Sequence, residues 1–167
     1  SGVSIDQGTG TVTVTATGGG GGVTFDYTDS GTNLLIGESV TYTIQQGNVG
    51  LGEGVLENQT GSNYNTAIGY HAGKSVTTGT NNTIVGGLAG DALTTGSRNV
   101  AVGYNALSTE DAHGRNTALG YQCLKVQDAG VDAYNTAVGY EAGKTISTGI
   151  ENTLLGGKAG DALTTGG

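Results

Sequence analysis

A chain of 167 residues with 34 glycines and no proline, methionine or tryptophan cannot build an ordinary globular core, because only 35% of it is hydrophobic and much of that is alanine. That much glycine without a Gly-X-Y period or proline excludes collagen, and only a regular sequence period keeps it from reading as disorder. Six basic against fourteen acidic residues, a net charge of −8, offer nothing to a phosphate backbone, and no apolar run is long enough to span a bilayer, so neither a nucleic-acid partner nor membrane insertion is expected.

Residues 1–32 form a first unit. Gly10-Thr-Val-Thr-Val-Thr-Ala-Thr17 alternates valine and threonine as a β-strand does, Gly18 to Gly22 is a glycine joint, and Val23-Thr-Phe-Asp-Tyr27 reads as a second strand. This small β element either caps the repeat region or continues a shaft upstream. The chain begins at Ser1 without methionine and stops at Thr165-Gly166-Gly167 inside a recurring motif. It is therefore expected to be a processed or excised piece of a longer protein, with any targeting signal or anchor elsewhere.

Residues 33–167 repeat. Asparagine recurs at Asn48, Asn65, Asn82, Asn99, Asn116, Asn135 and Asn152, at spacings of 17 residues except for one of 19. Four residues after each comes Gly52, Gly69, Gly86, Gly103, Gly120, Gly139 or Gly156, and a weaker match, Asn33 to Gly37, extends the series one coil earlier. Between asparagine and glycine stand Val or Thr (Val49, Thr66, Thr83, Val100, Thr117, Thr136, Thr153) and, two residues on, an aliphatic residue (Leu51, Ile68, Val85, Val102, Leu119, Val138, Leu155). This is the alternation of a short strand with one packed face. The next column is small (Val55, Ala72, Ala89, Ala106, Cys123, Ala142, Ala159), which implies a narrow interior and a buried, unreactive Cys123. Val76, Leu93, Ile146 and Leu163 precede Thr-Thr-Gly or Ser-Thr-Gly turns and mark a third side.

One such coil cannot offset its chain entropy, whereas stacked coils pair each strand above and below and align like residues into ladders. The expected fold is therefore all-β: a parallel β-solenoid or β-roll of seven to eight coils, about 34 Å long at ~4.8 Å per strand. Val85 should lie between Ile68 and Val102, and Asn82 between Asn65 and Asn99. Glycines take the corners, and the asparagine column satisfies its amides along the stack.

The units Asn65-Thr-Ala-Ile-Gly-Tyr, Asn99-Val-Ala-Val-Gly-Tyr, Asn116-Thr-Ala-Leu-Gly-Tyr and Asn135-Thr-Ala-Val-Gly-Tyr resemble the repeats of phage and marine-virus tail fibre proteins, Asn-Thr-Ala-x-Gly-Tyr-x-Ala-Gly with Thr-Thr-Gly turns. They are also similar to the head repeat of YadA-like trimeric autotransporter adhesins. The resemblance covers residues 48 to 166 and implies a parallel homotrimer, extracellular on a virion or a bacterial surface. It implies a structural and adhesive tail fibre or spike that spaces or presents receptor-binding surfaces, or, alternatively, the head of a bacterial surface adhesin. The aliphatic residues that one narrow roll leaves over, with Val76, Leu93, Ile146 and Leu163 as the exposed stripe, would be buried by threefold closure.

Chemistry-bearing residues are sparse, and no enzyme, cofactor or metal ligand is expected. His71 and His113 fall at outward or turn positions of different coils. Glu110, Asp111, Asp128 and Asp132 flank the longer coil, where a carboxylate group for a cation or a glycosidase pair is conceivable but an exposed acidic loop is the simpler reading. Gly86-Gly-Leu-Ala-Gly-Asp-Ala-Leu93 and its counterpart from Gly156 approach the calcium-roll nonapeptide, but its fourth position is alanine and the period is wrong. Tyr104, Tyr121 and Tyr140 should form an aromatic ladder, with Tyr70 set apart by Gly87. Such a ladder either contacts a cell-surface glycan or protein receptor or shields a corner. An ice-binding solenoid, which needs regular threonine columns on a flat face, and a glycan-degrading spike are weaker alternatives.

Overall fold

The computed structural model describes residues 47–166 in full and, before them, the backbone of three short strands, Ser4–Ile5 (β1), Val12–Thr13 (β2) and Leu34–Ile36 (β3). Seven more come after: Val49–Leu51 (β4), Thr66–Ile68 (β5), Thr83–Val85 (β6), Val100–Val102 (β7), Thr117–Leu119 (β8), Thr136–Val138 (β9) and Thr153–Leu155 (β10). Strands β3 to β10 form one sheet in chain order, every neighbour parallel. This is the β-solenoid that the period implies. Val85 stands opposite Ile68 on one side and Val102 on the other. The strand of the weaker, earlier match joins the stack, since Leu34 pairs with Val49. Among the N-terminal expectations, β2 falls within the valine-threonine run and pairs antiparallel with β1, while Gly18 to Gly22 and Val23 to Tyr27 lie outside the described residues.

The phase of the strand is the reverse of the expected one. The middle residue points inward, so that Ala67, Ile84, Ala101, Ala118 and Ala137 are fully buried, while the threonine/valine and aliphatic columns on either side face out. The interior is narrow enough to prefer alanine, and β-branched residues favour a strand whichever face they occupy. Val76, Leu93 and Ile146, expected as a surface stripe, are instead completely buried, and Leu163 packs against the same core.

The core is filled by an exchange within each coil. Where Leu56, Leu107 or Leu124 follows the small column, the third side carries Gln59, Glu110 or Gln127; where Gly73, Gly90 or Gly143 stands there, it carries Val76, Leu93 or Ile146. These two positions share one space, so a large apolar group at one leaves no room for a large apolar group at the other. A Cβ on Gly73 would sit 2.9 Å from Ile84 Cδ1 and 3.1 Å from Leu56 Cδ2. Coils with leucine in the first position thus place a buried polar side chain in the second, and that side chain must find partners.

Asparagine is required because its column needs a donor and an acceptor together. The Oδ1 of Asn65 accepts from the backbone N–H of Asn82 at 2.9 Å, and the Oδ1 of Asn82 accepts from that of Asn99 at 2.9 Å. The Nδ2 groups reach across their own coil, from Asn65 to the Gly79 carbonyl at 2.8 Å and from Asn82 to that of Gly96 at 2.9 Å. The amides therefore bond mainly to backbone, and each joins one coil to the next while closing its own loop. The glycine column lets coils approach: Gly103 has φ of +133°, and a Cβ there would meet Gly120 backbone carbon at 2.5 Å. Cys123 is buried as expected, donates to the Ala137 carbonyl at 3.1 Å, and burial pushes its thiol up to about 11. Thiolate chemistry at neutral pH is closed to it.

Candidate functional site

Two places depart from a bland solenoid surface. The first is the outward face of the sheet. Because strand residues alternate, the threonine/valine column and the aliphatic column share this face, and the tyrosine column comes just past the glycine corner. Leu51, Ile68, Leu119 and Leu155 are exposed, as are Tyr70, Tyr104, Tyr121 and Tyr140. The ladder exists: Tyr104 and Tyr121 stack with ring centroids 5.7 Å apart, and Tyr121 and Tyr140 at 5.2 Å and 6°. Tyr70 lies apart and stacks instead on His71 at 3.8 Å, Gly87 leaving the ladder open between them. The Glu141 carboxylate, and less so burial, raises the Tyr140 phenol above its ordinary value, so the ring stays neutral. Glu141 itself is held below the usual carboxylate value by a hydrogen bond from Lys144 Nζ at 2.9 Å. Along the strands this face carries no charged side chain.

The second place is the corner where the 19-residue coil meets the coil before it. Glu110, Asp111 and His113 come from the end of the Asn99 coil and Asp128 from the next one; each brings one potential ligand atom, and these lie within 4.8 Å of one another. The exposed-loop reading holds for Asp111, Asp128 and Asp132 but is corrected for Glu110, which is completely buried. Desolvation is the main cause that raises its carboxyl above the ordinary value, with repulsion from Asp128 adding and the His113 backbone hydrogen bond opposing. Glu110 Oε1 accepts from the His113 backbone N–H at 3.0 Å, and the His113 ring nitrogen Nδ1 approaches that oxygen to 3.4 Å. His113 is thus half-buried against a carboxylate rather than simply outward. Asp132 leaves the group: it pairs with Arg115 at 2.8 Å and accepts from the Gly114 N–H at 3.0 Å. Arg115 in turn lies over the Tyr134 ring at 5.2 Å and donates to its hydroxyl at 2.7 Å.

Sequence reasoning did not single out Gln59 and Gln127, the buried amides equivalent to Glu110. The signal was present as the leucine three residues before each, which fills the coil and turns the third side polar. Among the described residues no helix is long and apolar enough to cross a membrane. The chain matches no protein-family model, no curated protein and no solved structure.

Proposed function

We propose that this chain is a length of extracellular fibre: a non-catalytic structural and adhesive rod of a phage virion that spaces or presents receptor-binding surfaces and assembles as a parallel homotrimer. The observation that carries the reading is the unbroken in-register stack with an uncharged, partly apolar outward face. A rod whose strands are hydrogen-bonded along its length is stiff, and a stiff spacer is what holds a binding tip away from a particle. The trimer rests on the aliphatic column, not on Val76 and its equivalents as the sequence suggested. An exposed apolar stripe is uncommon on a soluble monomer. Its partner must repeat at the same axial spacing of ~4.8 Å, and a parallel copy of the same chain does so at every coil. Three copies about one axis close the contact with no open side. The tyrosine ladder, beside that seam, is the strip best suited to stack on a sugar or a receptor side chain.

Light scattering of the assembled chain should give about three times 16.5 kDa, and a glycan array on that species should lose any signal when Tyr104, Tyr121 and Tyr140 are all changed to serine. A stable, well-folded monomer refutes the trimer. The same geometry suits the head of a bacterial surface adhesin, which a membrane-anchored barrel and a coiled-coil stalk in the full gene would favour over neighbouring baseplate genes. One observation favours an ice-binding reading as well: Thr66, Thr83, Thr117, Thr136 and Thr153 share the outward face in one column. Thermal hysteresis in solution would transfer the assignment to it.

A further inference from the structure

We propose that Glu110, Asp111, His113 and Asp128 form a binding site for a divalent transition-metal ion of the zinc class, which clamps the long coil to the coil before it. The position of Glu110 in the core is occupied in two other coils by glutamine, and there the polar requirement is met: Asn135 Nδ2 donates to Gln127 Oε1 at 2.9 Å, and Asn48 Nδ2 to Gln59 Oε1 at 3.3 Å. With Glu110 it is not. Its Oε2 is cut off from water and has no hydrogen-bond partner, and His113 Nδ1, also cut off from water, has only the approach to Glu110 Oε1 at 3.4 Å. A buried carboxylate oxygen left open in this way is costly unless a cation or a donor reaches it. Both residues belong to the group that the exposed Asp111 and Asp128 complete.

Ligand atoms within 4.8 Å of one another must draw in by about 1 Å to share one ion, since bonds of about 2.0–2.2 Å to imidazole nitrogen and carboxylate oxygen place tetrahedral ligands about 3.4 Å apart. A small inward movement of the exposed aspartates completes the set. The ring nitrogen argues for a borderline ion such as zinc over calcium, which prefers an all-oxygen shell. Three carboxylates supply the charge that a divalent ion needs.

A simpler fate for Glu110 is to turn towards Asn116, whose Nδ2 is also buried without a partner, as Gln127 bonds Asn135. Experiment separates the two. The full chain, stripped with a chelator, is titrated with ZnCl2 by calorimetry while the two histidine rings are followed by NMR, with CaCl2 as the comparison ion. The expected result is one zinc ion per chain, perturbation of the His113 ring but not of His71, a higher melting temperature and a much weaker response to calcium. Glu110→Gln should fold, because glutamine already serves this position in two other coils, and should weaken zinc binding at least tenfold. His113→Gln, changed from the half-exposed side, should do the same should the core variant fail to fold. Absence of zinc binding by the unmodified chain, equal affinity in it and either folded variant, or perturbation of His71 alone overturns the proposal.

Discussion

The ordinary coils and the long coil solve the same packing problem with different completeness. In the coils that open at Asn65 and Asn82, both ends of the asparagine amide are bonded, the Oδ1 to the next coil and the Nδ2 to a carbonyl fourteen residues on. In the coil that opens at Asn116 the residue fourteen on is Gly130, which bulges into open space at φ of +70°, and Asn116 Nδ2 is left buried and unpartnered. Yet the strands do not notice: β8 and β9 pair in the same register as every other neighbour. The two extra residues are absorbed wholly at one corner. Register is fixed by the strand and by the glycine that ends it, whereas the corner beyond is free to vary. That corner is where charge, unmet polar atoms and the tyrosine-arginine contact gather, as surface connections on a rigid scaffold commonly do.

Substitution of glycine in the two settings gives the largest contrast. Gly103→Ala drives a methyl into the Gly120 carbonyl oxygen and to 2.5 Å from its carbon, and backbone cannot be rotated away as a side chain can. We expect a loss of about 4 kcal/mol or more, enough to disrupt stacking between neighbouring coils. Gly130→Ala meets nothing within 4 Å and bears only the left-handed φ, which costs about 1–2 kcal/mol. Thermal and urea melts of the two variants check the ranking, and equal losses would mean that the glycine column is not a contact between coils.

The asparagines sharpen the same comparison at smaller scale. Asn82→Ala removes the acceptor for Asn99 N–H and the donor to Gly96, and two buried groups left unmet at about 1–3 kcal/mol each predict a loss of about 2–6 kcal/mol. Asn116→Ala forfeits a single longer bond, 3.2 Å to the Asn135 N–H, and removes an amide that was already unmet, so about 1 kcal/mol is expected. Urea midpoints would show the difference directly. Greater damage in the long-coil variant would mean that Asn116 holds its coil more firmly than Asn82 does.

These contrasts also show what the sequence made legible. Period, parallel pairing, register, the asparagine and glycine columns, the small buried column and the tyrosine ladder all follow from spacing, because a stacked repeat turns sequence distance into spatial adjacency. The inward face of the strand did not follow. In Thr66-Ala-Ile68 the larger residue looks like the core residue, but the strand turns its middle position inward, so Ala67 is buried and Ile68 is exposed. The burial of Glu110 was hidden for a related reason: its surroundings depend on Leu107 filling the coil, a compensation between two columns that neither column reveals alone. The meeting of Glu110 and His113 with Asp128 depends on how the two-residue insertion folds, and spacing is silent on that.

The smallest effect separates the two kinds of carboxylate by the sign of their pH dependence. Burial raises the folded-state value of Glu110 above its ordinary 4.5, so the folded chain takes up that proton more readily than the unfolded chain. Its contribution to stability is therefore most favourable at or below the ordinary value, declines as pH rises through the window between 4.5 and the raised value, and is constant above it. Glu141, held down by Lys144, runs the other way: its contribution is present above 4.5 and is lost as pH falls through its lowered value. Other carboxylates also titrate in this range, so the informative quantity is the difference between the parent chain and each variant, measured in chelator to exclude metal. Relative to Glu110→Gln, the parent should lose stability on going from pH ~4 to pH ~7; relative to Glu141→Gln, it should gain a little over the lower part of that range. A flat difference for Glu110→Gln would place its carboxylate in water, and with it would go both the contrast between the long coil and its neighbours and the reason for its open oxygen.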